Sequence, residues 1–419
     1  MKRALVLSGG GARGAYQIGA WQALNEAGMR FQGVYGTSIG AINALLFAQG
    51  DLEGAIQVWD SITAEVVTGI PEKDYVAIDR MINRKRDVVP FLLEHANQLL
   101  LDMKPLEKLL RAEVDEKRVR DARLALGLMT VRFPSLGLCP VRLKDIPEGR
   151  LIDYALASAT CFPVFTPRYI DGERYIDGGY ADNMPVDMAL RDGAQEIVAV
   201  DLHPKPTHPE YMRMPFVTAV MPRKELGGFL DFDADRLRRS RWLGYYDAMK
   251  RLGQLEGIRY AFRRSAAAHV QRAARSFVQD VAGFDARAIA RASLNTQPPV
   301  APLISALEKE TPGQALSWKE VYLRGLELAA DCAGCDELHT YDAEALTAEL
   351  LQRVHAAAPL PAMTEKALQA LAKADPFALV TYFYQQLRLR AEGLDPAFIR
   401  LAAAHPQATA AAIFLAGAE

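Results

Sequence analysis

The residues best suited to chemistry lie in three short segments that contain glycine. The first is Gly9-Gly10-Gly11-Ala12-Arg13-Gly14, which follows an apolar run and precedes a helical pattern. Glycines at such a junction leave backbone amides uncovered at a helix start, where the helix dipole also favours negative charge. This segment can therefore hold a phosphate group or the oxyanion that develops when a carbonyl carbon is attacked.

The second segment, Gly36-Thr37-Ser38-Ile39-Gly40, lies between a second apolar run and a second helical pattern. GxSxG in that setting is typical of a nucleophile elbow, a sharp turn that exposes the serine hydroxyl between small neighbours. Ser38 is therefore a candidate nucleophile.

The third segment is Asp177-Gly178-Gly179, followed by Asn183 and Pro185. An isolated Asp-Gly-Gly is most simply an Asx turn. A nucleophilic serine, however, needs a base to take its proton. Beside the other two segments, Asp177 becomes a candidate for that base.

The glycine loop also satisfies GxGxxG, the pattern of dinucleotide-binding units. Such a unit needs an acidic residue at the end of the second strand to hold a ribose hydroxyl. The sequence there is Val34-Tyr35-Gly36-Thr37, which argues against a nucleotide cofactor.

A catalytic triad is a second interpretation, because Ser38, Asp177 and His203 follow the chain order of α/β-hydrolase triads. Imidazole is also a better-matched base near neutral pH than an ordinary carboxylate. Several strand-helix units normally precede the elbow in that fold, whereas only one precedes Ser38. The triad stays as the alternative to a Ser38–Asp177 pair, and otherwise His203 is a histidine at a strand end.

Taken together, GGGARG, GTSIG and DGG in this order resemble the patatin-like phospholipase family, whose members use a Ser–Asp dyad. The resemblance covers residues 1–205 and includes the apolar stretch 157–167, although Cys161-Phe162-Pro163 stands where the family often has proline-glycine. It implies a nucleophile at Ser38 and a base at Asp177. The oxyanion hole would be formed by the amides of Gly10, Gly11 and Ala12, and Arg13 would support the loop or meet an anionic head group. The other supporting motif positions are Gly9, Gly14, Gly36, Gly40, Gly178 and Gly179.

The activity implied by this resemblance is hydrolysis of carboxylic esters in lipids, of phospholipase A or lysophospholipase type, through an acyl-enzyme. It requires no metal and no organic cofactor. The expected partner is a lipid or phospholipid substrate. The alternative is a protein without catalytic activity. It would bind lipid or act as a scaffold and would keep the elbow sequence without using it for catalysis.

The elements that must position these residues alternate between strand and helix. Strand patterns over 2–8 and 31–35 each precede a helical pattern, at 15–27 and 41–50, which indicates parallel strands with right-handed crossovers. Further strand patterns lie at 124–133, 168–176 and 196–202, and the proline-rich stretch 203–209 is predicted to end the sheet. With the resemblance, the predicted fold class is α/β, a patatin-like parallel-sheet sandwich with helices on both faces and a mostly helical C-terminal region.

Three regions are predicted from this pattern. They are an α/β catalytic domain at 1–205, a basic helical extension at 206–269 packed on it, and a helical C-terminal domain at 270–419 of unknown role. The chain has 419 residues, 50% of them apolar and 24% charged, which excludes a disordered protein. Its four cysteines exclude a disulfide scaffold. The pair Cys332 and Cys335, with His339 nearby, lacks a second pair at zinc spacing and is most simply interpreted as packed or exposed thiols on helices; a redox or metal site is the alternative.

Location and partners follow from charge and hydropathy. The first residues lack a signal-peptide core, and no apolar run is long enough to span a bilayer, so a cytoplasmic location is expected. Residues 211–300 carry 16 basic and 8 acidic groups, a local charge of +8. The arginine-rich run 236–241 is interpreted as a solvated helix face paired with acidic neighbours and not as a nucleic-acid site. A peripheral contact with anionic lipid at the inner face of the membrane stays open, and the sequence does not predict an oligomeric state.

Overall fold

The chain forms two compact units, Met1–Leu252 and Gly253–Glu419. The computed structural model describes residues 2–70, 101–264, 270–294, 302–309, 311, 315–361, 363–389 and 396–418. The boundary between the units lies inside the segment 206–269, which was predicted from the sequence to be a separate basic helical extension. Most of that segment belongs to the first unit, and its last residues belong to the second.

A mixed sheet forms the centre of the first unit. Its strands within the described residues are β1 (Arg3–Leu7), β2 (Gly33–Thr37), β3 (Ala125–Phe133), β4 (Gly137–Arg142), β5 (Arg168–Ile170), β6 (Glu173–Asp177), β7 (Glu196–Val200) and β8 (Val217–Val220). They follow the order β5-β6-β3-β2-β1-β7-β8, and β4 pairs with β3. The strands β1, β2, β3, β7 and β8 are parallel, which confirms the predicted parallel arrangement for this part of the sheet.

Two features of the sheet differ from the prediction. The strands β4, β5 and β6 are antiparallel to their neighbours, because short turns join β3 to β4 and β5 to β6. The proline-rich stretch 203–209 does not end the sheet, since β8 follows it and pairs with β7. A strand of four residues is too short for its apolar pattern to stand out in the sequence.

Helices cover both faces of this sheet, as predicted. Leu5 and Leu7 pack with the helices α1 and α2, whereas Ala4 and Val6 face the opposite cluster around α8. The helices of the first unit are α1 (Ala15–Glu26), α2 (Ile39–Gln49), α3 (Leu52–Ser61), α4 (Ala64–Thr68), α5 (Lys104–Glu113), α6 (Glu116–Asp121), α7 (Leu151–Ala159), α8 (Val186–Arg191), α9 (Pro209–Met212) and α10 (Ala234–Arg251). The helical pattern predicted from residue 51 to 117 is present in α3 to α6, and its part at 71–100 lies outside the described residues.

The helix α10 packs directly on α1 through two glycines. A Cβ atom at Gly19 would lie 1.7 Å from the Arg241 carbonyl oxygen, and one at Gly244 would lie 1.9 Å from that of Tyr16. The arginines of α10 form ion pairs, for example Arg238 with Asp235 and Arg241 with Asp60. The arginine-rich run is therefore a paired helix surface, in agreement with its interpretation from the sequence.

The second unit is mostly helical and has its own apolar core, which includes Phe277, Phe383 and Phe414. Its helices are α11 (Val270–Leu294), α12 (Ile304–Glu308), α13 (Trp318–Cys332), α14 (Ala343–Ala356), α15 (Glu365–Ala374), α16 (Pro376–Leu389), α17 (Pro396–Ala403) and α18 (Pro406–Gly417). Three short strands, β9 (Leu255–Glu256), β10 (Ala261–Arg263) and β11 (Thr340–Tyr341), form a small sheet. Within the part of the chain that is described, no helix is both long enough and apolar enough to cross a bilayer.

A buried carboxylate on α13 holds the start of the second unit. Glu327 is 1% exposed, and its Oε1 accepts hydrogen bonds from the amides of Ile258, Arg259 and Tyr260. Its Oε2 accepts from the buried Arg324 guanidinium at 3.0 Å. These bonds attach the turn before β10 to the helix, and they satisfy a charge that would otherwise be costly to bury.

The two cysteines near the end of α13 pack against the apolar core of this unit. Burial raises the pKa of the Cys332 thiol to about 12 and also raises the pKa of Cys335. Burial therefore favours the protonated form of both thiols.

Candidate active site

Ser38 lies at a sharp turn between β2 and α2. Its φ of +56° is in the left-handed region, which is unusual for a residue other than glycine. Gly36 and Gly40 must be glycines because neighbouring backbone atoms lie where a side chain would be. A Cβ atom at Gly36 would lie 2.1 Å from the Gly40 carbonyl oxygen, and one at Gly40 would lie 2.4 Å from that of Leu7. GTSIG thus has the strained geometry of a nucleophile elbow.

The long strand β3 brings Asp177 to this serine. Its first half pairs with β2 up to Thr37 opposite Met129, and its second half pairs with β6 from Asp177 opposite Thr130. Because β4 occupies the other edge of β3, β2 and β6 follow one another along the same edge. The C-terminal ends of β2 and β6 therefore meet, and Ser38 and Asp177 lie side by side.

Ser38 and Asp177 form a direct hydrogen bond. The Ser38 hydroxyl donates to Asp177 Oδ2 at 2.6 Å, and the Gly179 amide donates to Asp177 Oδ1 at 2.7 Å. Burial raises the pKa of Asp177 from its ordinary value of 3.8 to about 6, although both hydrogen bonds act to lower it. The site thus places a hydroxyl against a carboxylate whose affinity for a proton is increased by desolvation.

A second serine holds the elbow in place. The Ser158 hydroxyl, near the end of α7, accepts a hydrogen bond from the Ser38 amide at 2.9 Å and donates to the Met129 carbonyl. Ser158 is fully buried, so these two bonds satisfy its hydroxyl group. They also connect the turn at Ser38 to the backbone of β3. Sequence reasoning did not single out Ser158 for this role.

The glycine loop lies between β1 and α1, and part of it forms a one-turn 3-10 helix, Gly11–Gly14. Within the described residues, the amides of Gly10 and Gly11 donate to no protein acceptor, as the predicted oxyanion hole requires. The Ala12 amide instead donates to the Phe229 carbonyl oxygen at 2.7 Å, which contradicts the prediction that Ala12 contributes a donor. The sequence could not show this, because Phe229 is distant in the chain and uses only its backbone.

The remaining predicted motif residues pack closely around the same turns. Arg13 holds a loop, since its Nε donates to the Gly227 carbonyl at 2.8 Å and its guanidinium lies 4.0 Å from Glu225. A Cβ atom at Gly178 would lie 2.1 Å from the Met129 carbonyl oxygen. Two further glycines are in close contact with side chains, Gly9 with Asn183 and Gly14 with Ile39 and Trp59.

A cavity of about 420 Å³ opens onto Ser38 and Asp177 and is also lined by Gly10 and Gly11. This volume is in the usual range of small-molecule sites. Apolar side chains form most of the wall, among them Ile42, Val58, Leu106, Leu110, Phe165 and Phe232. Cys161 also lines the cavity.

His203 lines the same cavity but does not complete a triad. Its Nδ1 lies 2.9 Å from Asp201 Oδ1, whereas Ser38 donates directly to Asp177. Asp201 is fully buried and also accepts from the amides of His203 and Thr207. In the structure His203 therefore does not bridge Ser38 and Asp177, and it lies just after the end of β7.

An elbow serine on a parallel sheet, an adjoining carboxylate and free amides around an apolar cavity define an α/β domain with a site of the serine-hydrolase type. Residues 5–190 match the patatin-like phospholipase family, so the N-terminal half of the chain carries a patatin-like phospholipase domain. The recognition made from the three motifs is confirmed.

The chain is also similar to individual known proteins. Patatin-like phospholipase domain-containing protein 7 of Rattus norvegicus is 28% identical over 203 residues, which cover 48% of this chain and 13% of the relative. Patatin-like phospholipase domain-containing protein 6 of Homo sapiens is 28% identical over 204 residues, with the same two shares. The chain thus spans about an eighth of the length of these relatives. Among solved structures, that of VipD from Legionella pneumophila aligns with a TM-score of 0.37 and 15% identity, over 91% of this chain and 90% of that one.

Proposed function

We propose that this protein hydrolyses carboxylic esters of lipids through an acyl-enzyme formed on Ser38. The observation that carries the proposal is the 2.6 Å hydrogen bond from the Ser38 hydroxyl to a buried carboxylate at an apolar cavity. A serine hydroxyl is a weak nucleophile unless an adjacent base takes its proton. Asp177, with a pKa of about 6, is mostly ionised at neutral pH and accepts a proton more readily than an exposed aspartate.

The reaction proceeds in two halves. Ser38 Oγ attacks the ester carbonyl carbon while its proton moves to Asp177, and the carbonyl oxygen becomes an oxyanion. When this intermediate collapses, the leaving alkoxide takes the proton from Asp177 and departs as an alcohol. A water molecule then attacks the acyl-enzyme, gives its proton to Asp177, and releases the fatty acid as Ser38 recovers its proton.

The amides of Gly10 and Gly11 are assigned to the oxyanion. Both residues line the cavity beside Ser38, and both amides are free of protein acceptors within the described residues. Donors already oriented toward a developing charge need no reorganisation during the reaction, and removing one typically costs about 10²- to 10³-fold in rate. Gly11 also has a φ of +60°, which favours glycine at this turn.

The lipid nature of the substrate rests on the cavity wall and on the family. Apolar side chains of α2, α3 and α5 line the cavity, so an acyl chain would be buried there at a gain of about 25 cal/mol for each Å² of apolar surface. Relatives carry the names patatin-like phospholipase domain-containing protein and lysophospholipase. By this likeness, phospholipids and lysophospholipids are the proposed substrate class. The basic helix α10 is not needed for this assignment.

The test combines active-site labelling with a lipid panel. A fluorophosphonate probe should label the wild-type protein, and Ser38→Ala should abolish labelling because the nucleophile is absent. Hydrolysis of phospholipids, lysophospholipids and neutral glycerides is then measured by release of fatty acid. Turnover should fall roughly 10⁴-fold or more in both Ser38→Ala and Asp177→Asn.

Ser61→Ala is the matched control, since Ser61 lies on the exposed end of α3 and its hydroxyl donates to the Val58 carbonyl. It should label and turn over as the wild type does. A wild-type protein that neither labels nor releases fatty acid from any lipid would reject the proposal. The non-catalytic binding protein would then replace it.

A further inference from the structure

Exposed apolar side chains of the first unit are concentrated beside the cavity. Among the described residues of that unit, six large apolar side chains are exposed, and four of these lie next to β3 and β6. They are Leu136 (59% exposed), Leu138 (49%), Tyr169 (67%) and Tyr180 (44%). Isolated exposed apolar residues are common on soluble proteins, but a cluster marks an interaction surface.

The strand register places Leu138 and Tyr169 of this cluster on one face of the sheet, together with Phe133 and Arg174. Leu138 lies opposite Val131, and Phe133 lies two residues further along the same strand, so both point to the same side. Arg174 lies opposite Phe133 on β3 and opposite Tyr169 on β5, which brings it to the same face. The face is therefore continuous across β4, β3, β6 and β5.

Aromatic contacts connect this face to the cavity. The Phe133 ring lies 5.0 Å from the ring of Phe162, and the Tyr180 hydroxyl donates to the Phe162 carbonyl oxygen. Tyr180 and the neighbouring Cys161 both line the cavity that contains Ser38. The exposed surface thus leads to the cavity that would receive an acyl chain.

Leu136 occupies an unusual position for a leucine. It lies in the turn between β3 and β4 with a φ of +56°, where glycine or asparagine would be free of strain. Its side chain is more than half exposed, so it contributes little to the core. Neither folding nor packing accounts for a leucine at this position, whereas contact with an external apolar phase does.

A cation accompanies the apolar side chains. Arg174 is exposed, its guanidinium lies 5.3 Å from the centre of the Phe133 ring, and it forms no ion pair with any described residue. Its neighbour Glu173 points to the other face, because side chains alternate along a strand. Apolar and aromatic side chains beside an unpaired arginine suit the boundary between acyl chains and phosphates in a lipid layer.

We propose that Phe133, Leu136, Leu138, Tyr169 and Tyr180 form a docking edge that seats the cavity on the surface of a phospholipid bilayer. The inference rests on the proposed function, since it explains how an insoluble ester reaches Ser38. It places the membrane contact on the β3–β4 hairpin and the adjoining strands. The arginine-rich helix α10, considered from the sequence, is ion-paired and is not part of this surface.

The experiment measures binding to vesicles of phosphatidylcholine containing a quarter phosphatidylglycerol. It uses full-length protein with Ser38→Ala, so that lipids stay intact and binding is separated from catalysis. The added changes Leu136→Asn and Leu138→Asn should weaken binding by about tenfold for each leucine, the factor expected for one buried leucine side chain. Asparagine tolerates the positive φ at Leu136, and both positions are exposed, so thermal unfolding should be unchanged or improved.

Two further variants sharpen the result. Met214→Asn removes another exposed apolar side chain of the same unit and should bind as its parent does. Arg174→Gln should weaken binding to the anionic vesicles several-fold and bind normally to pure phosphatidylcholine. In proteins that keep Ser38, the two hairpin changes should lower hydrolysis of vesicle lipid at least tenfold relative to hydrolysis of a water-soluble ester.

Unchanged vesicle binding after both hairpin changes would overturn the docking edge, even if wild-type protein hydrolyses lipid. A shift from dimer to monomer in size-exclusion chromatography, without loss of vesicle binding, would also overturn it and assign the edge to contact between copies. If binding falls as expected but no lipid is hydrolysed by the wild type, the docking edge stands and the proposed function fails.

Discussion

Replacing Asp177 with asparagine should stabilise the protein at alkaline pH while it removes activity. Asp177 is 6% exposed, and burial raises its pKa to about 6. Ionisation in the folded state is therefore less favourable than in the unfolded chain, where the pKa is 3.8. Asparagine has the same shape and no charge to desolvate, and it can still accept the hydrogen bond from the Gly179 amide.

The magnitude follows from linkage between proton binding and folding. Between pH 3.8 and about 6 the folded state binds the Asp177 proton more tightly than the unfolded state, so the wild-type free energy of unfolding falls as pH rises. Above pH 6, ionisation of the buried Asp177 lowers the free energy of unfolding by its full amount, about 3 kcal/mol. At pH 4 it lowers the free energy of unfolding by only about 0.5 kcal/mol. Asp177→Asn should therefore be more stable than wild type by up to about 3 kcal/mol at pH 8, or roughly 6 to 12 °C in melting temperature for a unit of this size.

The assay is chemical or thermal unfolding of wild type and Asp177→Asn at pH 4 and pH 8. Comparing the difference between the two proteins at each pH cancels the titration of every other group. Asp145→Asn, at an exposed carboxylate, is the control for the chemical change from aspartate to asparagine, and the pH-dependent gain of Asp177→Asn is judged against it. An Asp177→Asn protein with no stability gain at pH 8 relative to pH 4 would refute the argument that burial opposes ionisation of this carboxylate.

Three further predictions concern the same site. The kcat/KM for a water-soluble ester should rise with pH and level off above about 6, because Asp177 must be ionised to accept a proton; a flat profile from pH 5 to 8 would contradict this. Gly36→Ala should abolish fluorophosphonate labelling, since its Cβ would lie 2.1 Å from the Gly40 carbonyl oxygen. Gly137→Ala, with its nearest contact at 3.6 Å, should label normally. His203→Ala should keep turnover within about tenfold of wild type, and a loss of about 10³-fold would assign the base role to the imidazole.

The site was predictable from the sequence to the extent that its signals are local. Ser38 and its flanking glycines belong to one turn. Because the backbone approaches closely at both glycine positions, the turn requires glycine there, and this requirement is visible in the sequence as GTSIG. The pairing of Ser38 with Asp177 is not local. It depends on β3 exchanging one partner strand for another between Met129 and Thr130, and nothing in the composition of that strand marks the exchange. Residue types made Asp177 a candidate base for Ser38, and the family resemblance singled out this pair.

Other features of the site have no sequence signal of their own. Ser158 is a single hydroxyl in an alanine-rich helix, and its importance lies in the two backbone groups it joins. One turn is an exception, since Asp171-Gly172 between β5 and β6 is itself a strong hairpin signal. The strand β8 is short, however, and the turn Pro134-Ser135-Leu136 between β3 and β4 carries no such signal. These elements are determined by tertiary contacts, which outweigh local preference.

The loop around Phe229 shows most clearly why backbone contacts escape sequence reasoning. The Phe229 carbonyl accepts a hydrogen bond from the Ala12 amide, and the nearby Gly227 carbonyl accepts one from the Arg13 guanidinium. One segment therefore holds two consecutive residues of the glycine loop. The side chain of Phe229 meanwhile lines the cavity. The same segment therefore forms part of the cavity wall, where the acyl chain is proposed to bind, and holds the turn that carries Gly10 and Gly11. Because any residue type offers a carbonyl, only the fold determines that the Ala12 amide is bonded while, within the described residues, the amides of Gly10 and Gly11 donate to no protein acceptor.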